Sequence, residues 1–173
     1  IWDAAGMGVI AISGLEYDVN YTFTKTIHNN TGIDWNRFAI ELLDPIDNSG
    51  NDGDDIPTEA WVPAGFSHST EADGLSFAQG SGIPRTSNAF ASRDDDELAG
   101  RDYMDFYDGL ISGNGGTDVI SFGLRDRQPQ NNQPFLLVQR PNTVTGGEIP
   151  EPTTMILMGL GLAGVALRNK FRK

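Results

Sequence analysis

Apolar and polar residues alternate with a period of two along much of the chain before residue 140. Val9, Ile10 and Ile12 form a short apolar run closed by Ser13-Gly14. Tyr17, Val19, Tyr21 and Phe23 then alternate with Asp18, Asn20, Thr22 and Thr24, as in a strand with one buried and one wet face. His28-Asn29-Asn30-Thr31-Gly32 has the composition of a turn, and Trp35, Phe38, Ile40 and Leu42 follow as the next apolar set. Ala60, Trp61, Val62 and Phe66 suggest a strand or its approach, and Leu75-Ser76-Phe77 a short strand. The Gly- and Ser-rich stretch from Gln79 to Ala89 predicts a loop. Tyr103, Phe106, Tyr107, Leu110 and Ile111 fit neither a strand nor a helical turn well. After the tight turn Gly113-Asn114-Gly115-Gly116, the residues Ile120, Phe122 and Leu124 face one way. Arg125 to Pro134 is expected to be a polar hairpin loop, and Phe135 to Val138, apolar on both faces, the last and a central strand. The pattern predicts an all-β fold over residues 1–140, an antiparallel β-sandwich of roughly seven to nine strands.

The pattern changes beyond that point. Residues 141–149 are rich in Pro, Asn, Thr and Gly, as in a flexible linker. The last stretch, residues 150–173, has three parts: Pro150, Glu151 and Pro152; the uncharged run MILMGLGLAGVAL from Met155 to Leu167; and RNKFRK. As a single C-terminal hydrophobic helix the run would rise about 20 Å, short of a hydrocarbon core of roughly 30 Å, although Thr153, Thr154 and snorkelling basic side chains extend its reach. Arg168, Lys170, Arg172 and Lys173 would hold that end in the cytoplasm by the positive-inside rule. Gly159, Gly161 and Gly164 spell a dinucleotide-binding fingerprint, but the βαβ unit it requires cannot follow. Glycines that permit close helix packing in a membrane are the better explanation.

The arrangement closely resembles the PEP-CTERM sorting signal of exported bacterial proteins, in which Pro-Glu-Pro precedes a short membrane helix and an Arg-rich end. The resemblance covers Pro150 to Lys173 and implies recognition by an exosortase, a membrane protease-transpeptidase that cuts near the tripeptide. It implies transient anchoring in the inner membrane and delivery to the cell surface or beyond, in a system that accompanies exopolysaccharide and biofilm production. The stretch NNTGIDWNRFAIEL is similar to a segment of exported domains bearing such tails, where an Asn-x-Thr-Gly turn leads to a Trp and then an Asp/Glu-Leu strand end. Such a tail requires export, so a signal peptide is expected ahead of Ile1-Trp2-Asp3, which does not begin one.

Charge and composition narrow the chemistry. The chain of 173 residues has a formal charge of −12 and no cysteine. Before Pro150 stand 8 basic and 23 acidic residues, a formal charge of −15, which repels nucleic acid and favours cations. Without cysteine there is neither a disulfide framework nor a Cys-based zinc site or nucleophile. The segment DPIDNSGNDGDD (44–55) is a solvated loop or a weak calcium site using Asp52, Asp54 and Asp55; a missing ligand at Gly50 and an intervening Pro57 exclude an EF-hand. Ser92 to Glu97 is a second acidic cluster, expected to be a solvated turn, with cation binding as the alternative. His28 and His68 lie in polar stretches without metal-binding spacing, and Ser67-His68-Ser69 is adjacency rather than a triad, because neighbours in a strand point to opposite faces. No catalytic constellation emerges, and no cofactor beyond weak calcium. Two functions remain. One is a non-catalytic surface or extracellular-matrix protein, associated with polysaccharide. The other is a secreted calcium-dependent carbohydrate-binding or carbohydrate-active domain, in which Trp35 or Trp61 would stack on a sugar.

Overall fold

A computed structural model describes residues 1–3, 6–46, 60–70, 73–96, 101–127 and 134–142. Among them run ten strands: β1 (Gly8–Ile12), β2 (Tyr21–Asn29), β3 (Phe38–Pro45), β4 (Phe66–His68), β5 (Leu75–Ser76), β6 (Thr86–Ser87), β7 (Phe90–Asp96), β8 (Tyr103–Gly109), β9 (Gly116–Asp126) and β10 (Phe135–Pro141). They form two antiparallel sheets. The larger runs β1-β10-β3-β8-β7 with β4 on β3; the smaller runs β2-β9-β5 with β6 on β9. The all-β expectation holds, with ten strands rather than seven to nine. The short strand expected at Leu75-Ser76-Phe77 is β5, whereas the two-residue strand β6 is too short for alternation to be read in sequence.

One core lies between the sheets. Phe38, Ile40, Leu42, Met104, Phe106, Phe135 and Leu137 from the larger sheet meet Ile27, Ile120, Phe122 and Leu124 from the smaller. Phe122 packs edge-on to Phe77 at 5.7 Å and stacks on Phe23 at 5.9 Å. Each large apolar side chain removed from water contributes about 1.5–3 kcal/mol, so these alternate positions are what hold the layers together. The amino terminus closes one end. The Trp2 amide donates to the His28 carbonyl and its own carbonyl accepts from the Asn30 amide, while the ring meets Trp35 edge-on at 5.5 Å.

Several local expectations are corrected. The alternation begun at Tyr17 does not mark the strand's start: Tyr17 is 70% exposed, and Asp18 adopts a left-handed φ of 55° that interrupts the extended chain. Strand β2 instead starts at Tyr21 and runs through His28 and Asn29, because β9 supplies pairing partners as far as Gly116. The turn is therefore displaced beyond Asn29. Ala60 to Gly65 form the turns that approach β4, with Phe66 its first residue, in keeping with the expected strand or its approach, whereas β6 falls inside the stretch expected to be a loop. The apolar group at 103–111 resolves into β8 and an isolated bridge from Ile111 to Trp35. Arg125 to Pro134 is no hairpin: β9 ends in one sheet, whereas β10 pairs with β1 and β3 in the other. Strand β10 is central, as expected.

The acidic cluster at 92–96 is likewise no turn but part of edge strand β7, paired with β8. Arginines offset its charge. Arg85 and Arg93 both reach the Asp95 carboxylate, at 3.2 and 2.6 Å. Local charge density argued for a solvated turn, but long-range pairing and those arginines make a strand of it.

Candidate functional site

Every residue of β3 is buried, so both faces of the larger sheet are covered there. Phe38, Ile40 and Leu42 point into the core. Side chains alternate, so Ala39, Glu41, Leu43 and Pro45 take the opposite, outer face. A second apolar cluster forms on that face from Leu43, Val62, Leu136 and Val138, with Trp61 and Phe66 against it. Glu41 lies in its midst with no exposed surface.

A carboxylate so buried must be compensated. Arg101 Nε donates to Glu41 Oε1 at 2.8 Å, His68 Nδ1 lies 2.8 Å from the same oxygen, and Arg140 pairs with Oε2. Register explains the convergence. Glu41 stands opposite Val138, two residues before Arg140 on β10, while neighbouring Leu43 stands opposite His68 on β4. The Arg140 guanidinium also covers the Trp61 ring at 4.2 Å, and Trp61 meets His68 at 5.5 Å. The constellation pins Trp61, β4 and Arg101 to the back of the sheet.

A second charged group sits further along the same face. Arg37 donates to Asp105 Oδ2 from Nε at 3.0 Å and from a terminal nitrogen at 2.6 Å, and lies 5.1 Å from the Tyr107 ring centre. Asp94 of β7 stands directly opposite Asp105. Burial pushes the Asp105 carboxyl above the usual carboxylate range, and the Arg37 hydrogen bond opposes that shift only in part. The same bond raises Arg37. Asp105 Oδ1 is buried and accepts no hydrogen bond among the described residues.

A third polar group closes the end of β2. Asn29 is fully buried. Its side-chain amide donates to the carbonyls of Ile33 and Ile111, and its Oδ1 accepts from the amide and the hydroxyl of Thr31. Gly32 follows with φ of +76°, a conformation that favours glycine, and the Asp34 carboxylate accepts from the Gly113 amide at 2.8 Å. These contacts give structural roles to the Asn-x-Thr-Gly…Trp…Glu-Leu stretch. Asn29, Thr31 and Gly32 shape the turn, Trp35 fills the core, and Glu41 gathers the cations behind the sheet.

The sequence-predicted ligand residues separate. Trp35 is 1% exposed, between Trp2 and Phe38, and offers no ring face to a sugar because it is a core residue. Trp61 is half-buried with Arg140 over its ring. Asp52, Asp54 and Asp55 lie outside the described residues, as do Pro150, Glu151, Pro152, the apolar run and Arg168, Lys170, Arg172 and Lys173. Among the described residues no group of three or more His, Asp or Glu side chains is placed to hold a metal ion, and no helix is long and apolar enough to cross a membrane. The neighbours in Ser67-His68-Ser69 diverge: His68 faces Glu41, whereas Ser69 donates to Asp102 at 2.6 Å. A depression of about 310 Å³ between β6 and β7 is floored by Phe90 and Phe106. Ser87, which lines it, donates to the Asp118 carboxylate, and the amides of Asn88, Ala89 and Phe90 engage this pair, which braces that loop.

Sequence reading missed Glu41 as a centre of charge. The signal was present as one glutamate within the apolar stretch Phe38 to Leu43, but its cationic partners lie far along the chain.

The described residues thus define an acidic all-β domain whose best-formed polar clusters are internal braces. A signal that addresses another molecule lies in the tail. A family model for the PEP-CTERM protein-sorting motif matches residues 148–173, so the chain is a PEP-CTERM-bearing protein. The motif implies export, a membrane-anchored sorting signal and processing by an exosortase. Neither the curated proteins nor the solved structures contain a match to the chain.

Proposed function

We propose that the protein is a non-catalytic component of the cell surface or extracellular matrix, sorted by its tail and retained in association with exopolysaccharide or a biofilm. The observation that carries this reading is the sorting motif at residues 148–173. Met155 to Leu167 insert as a transient transmembrane helix, and Arg168 to Lys173 stay on the cytoplasmic side. Pro150 and Pro152 cannot donate backbone hydrogen bonds and bias their predecessors away from helix. They keep the tripeptide extended beside the membrane, where the protease binds it. Cleavage near Glu151 then frees the domain from that anchor.

The domain's design supports a scaffold role. Glu41, Asp105, Asn29 and Asp118 are each engaged in holding strands or loops together, and of the tryptophans offered for sugar stacking Trp35 is buried and Trp61 carries Arg140 over its ring. The test compares the mass and location of the protein in cells with and without the exosortase, alongside a Pro150→Ala, Pro152→Ala variant. Loss of RNKFRK from the surface form, dependent on the enzyme and on the prolines, is expected. Retention of RNKFRK in the enzyme's presence would replace sorting with a plain tail anchor.

A further inference from the structure

The two edges of the larger sheet are guarded very differently. An edge strand presents unpaired N–H and C=O groups, and soluble proteins blunt it with charge, proline, bulges or a covering segment. Strand β7 carries Arg93, Asp94, Asp95 and Asp96. Strand β1, Gly8-Val9-Ile10-Ala11-Ile12, carries none of these guards. It pairs with β10 on one side, and no described residue pairs with the other. Exposed large apolar side chains lie on it or beside it: Met7, Val9 and Ile10 are 40, 44 and 38% exposed.

We propose that β1 is a self-association edge, through which two copies of the chain pair antiparallel and join their larger sheets into one. Charge selects the occupant. Two copies with a formal charge of −12 each repel one another, so contact costs least where charge is absent. The twelve residues from Ala4 to Leu15 contain no ionisable side chain. Pairing through β7 would instead bring together two runs of three aspartates. On the other side of the fold, Trp2 already bonds to the edge of β2 at His28 and, beyond it, to Asn30.

A two-fold axis at Ile10, the middle residue of β1, sets Ile10 against Ile10, Val9 against Ala11 and Gly8 against Ile12. The interface is isologous, so it closes as a dimer. Five paired residues bury less than the roughly 1,200 Å² of a stable interface, so a weak dimer is expected, with a dissociation constant on the order of 10⁻⁴ M.

The test uses the full chain in detergent micelles, at protein concentrations up to about 1 mM. The mass is measured by sedimentation for the unaltered chain and for Ile10→Lys, with Val9→Lys as a second variant should the first alter the circular dichroism spectrum. Like charges brought together across the two-fold should weaken the dimer about tenfold. Because the chain has no cysteine, Ile10→Cys adds a single thiol that should oxidise to a covalent dimer, whereas Asp94→Cys on β7 should not. A monomeric unaltered chain at the highest concentration would overturn the proposal. So would unchanged association in a folded lysine variant, which assigns the contact to the tail, or equal cross-linking of the two cysteine variants.

Discussion

Strand β3 has two faces that are equally dry and differ in almost everything else. Phe38, Ile40 and Leu42 on the inner face meet apolar side chains from both sheets. Ala39, Glu41 and Leu43 on the outer face share their cover with two arginines, a histidine and a tryptophan. The inner face is stabilised by non-directional burial, which tolerates small shifts and depends little on pH. The outer face rests on a charge that is tolerable only while its partners remain. Burial alone therefore does not reveal how a face will respond to mutation; the chemistry of the cover does.

The largest expected effect tests the inner face. Phe38→Ala leaves a cavity between the sheets and should cost about 3–5 kcal/mol, read as a lower denaturant midpoint with an unchanged slope. On the outer face, Glu41→Ala should cost about 3 kcal/mol, because it strands buried cationic groups without a counter-charge. A double variant with Arg101→Ala sharpens the contrast: its cost should fall below the sum of the two singles, since both mutations disrupt the same cluster. Additive costs would show that Glu41 and Arg101 act independently, and the two faces would then differ less than their chemistry suggests.

A smaller effect is expected at Asn29, where alanine removes a brace rather than a core. Asn29→Ala should cost about 2 kcal/mol and speed amide exchange first at Thr31 and Gly113, ahead of the strands. The smallest effect separates the faces by pH. The folded-state pKa of Asp105 is raised by burial, so the native state holds this proton more tightly than the unfolded chain does. The associated stability is present below the ordinary carboxylate pKa and is lost as pH rises through the folded value. The stability of Asp105→Asn relative to the unaltered chain should therefore increase with pH across that window, while that of Phe38→Ala should not change.

Much of this was legible in the sequence. The apolar sets Trp35, Phe38, Ile40, Leu42 and Ile120, Phe122, Leu124 are core residues, and β10 is central, because alternation along a strand directly records which face is dry. Where alternation was used to set strand ends it failed, as at Tyr17 and Val19, since an end is decided by where the partner strand stops. The acidic run in β7 was obscured for a related reason. Neutralisation of Asp95 by Arg85 depends on how the chain folds back, not on local composition.

The sequence by itself determined the all-β character and the sorting tail, since both are written in short-range order: a period of two, and a tripeptide, an apolar run and basic residues in succession. The tertiary structure alone decided which strands share a sheet, that β9 and β10 belong to different ones, and that Glu41 is a buried hub. Arg101 and Arg140 lie 60 and 99 residues from Glu41 along the chain. Pairing over such distances is chosen by the whole set of competing strand partners, and no local window contains that choice.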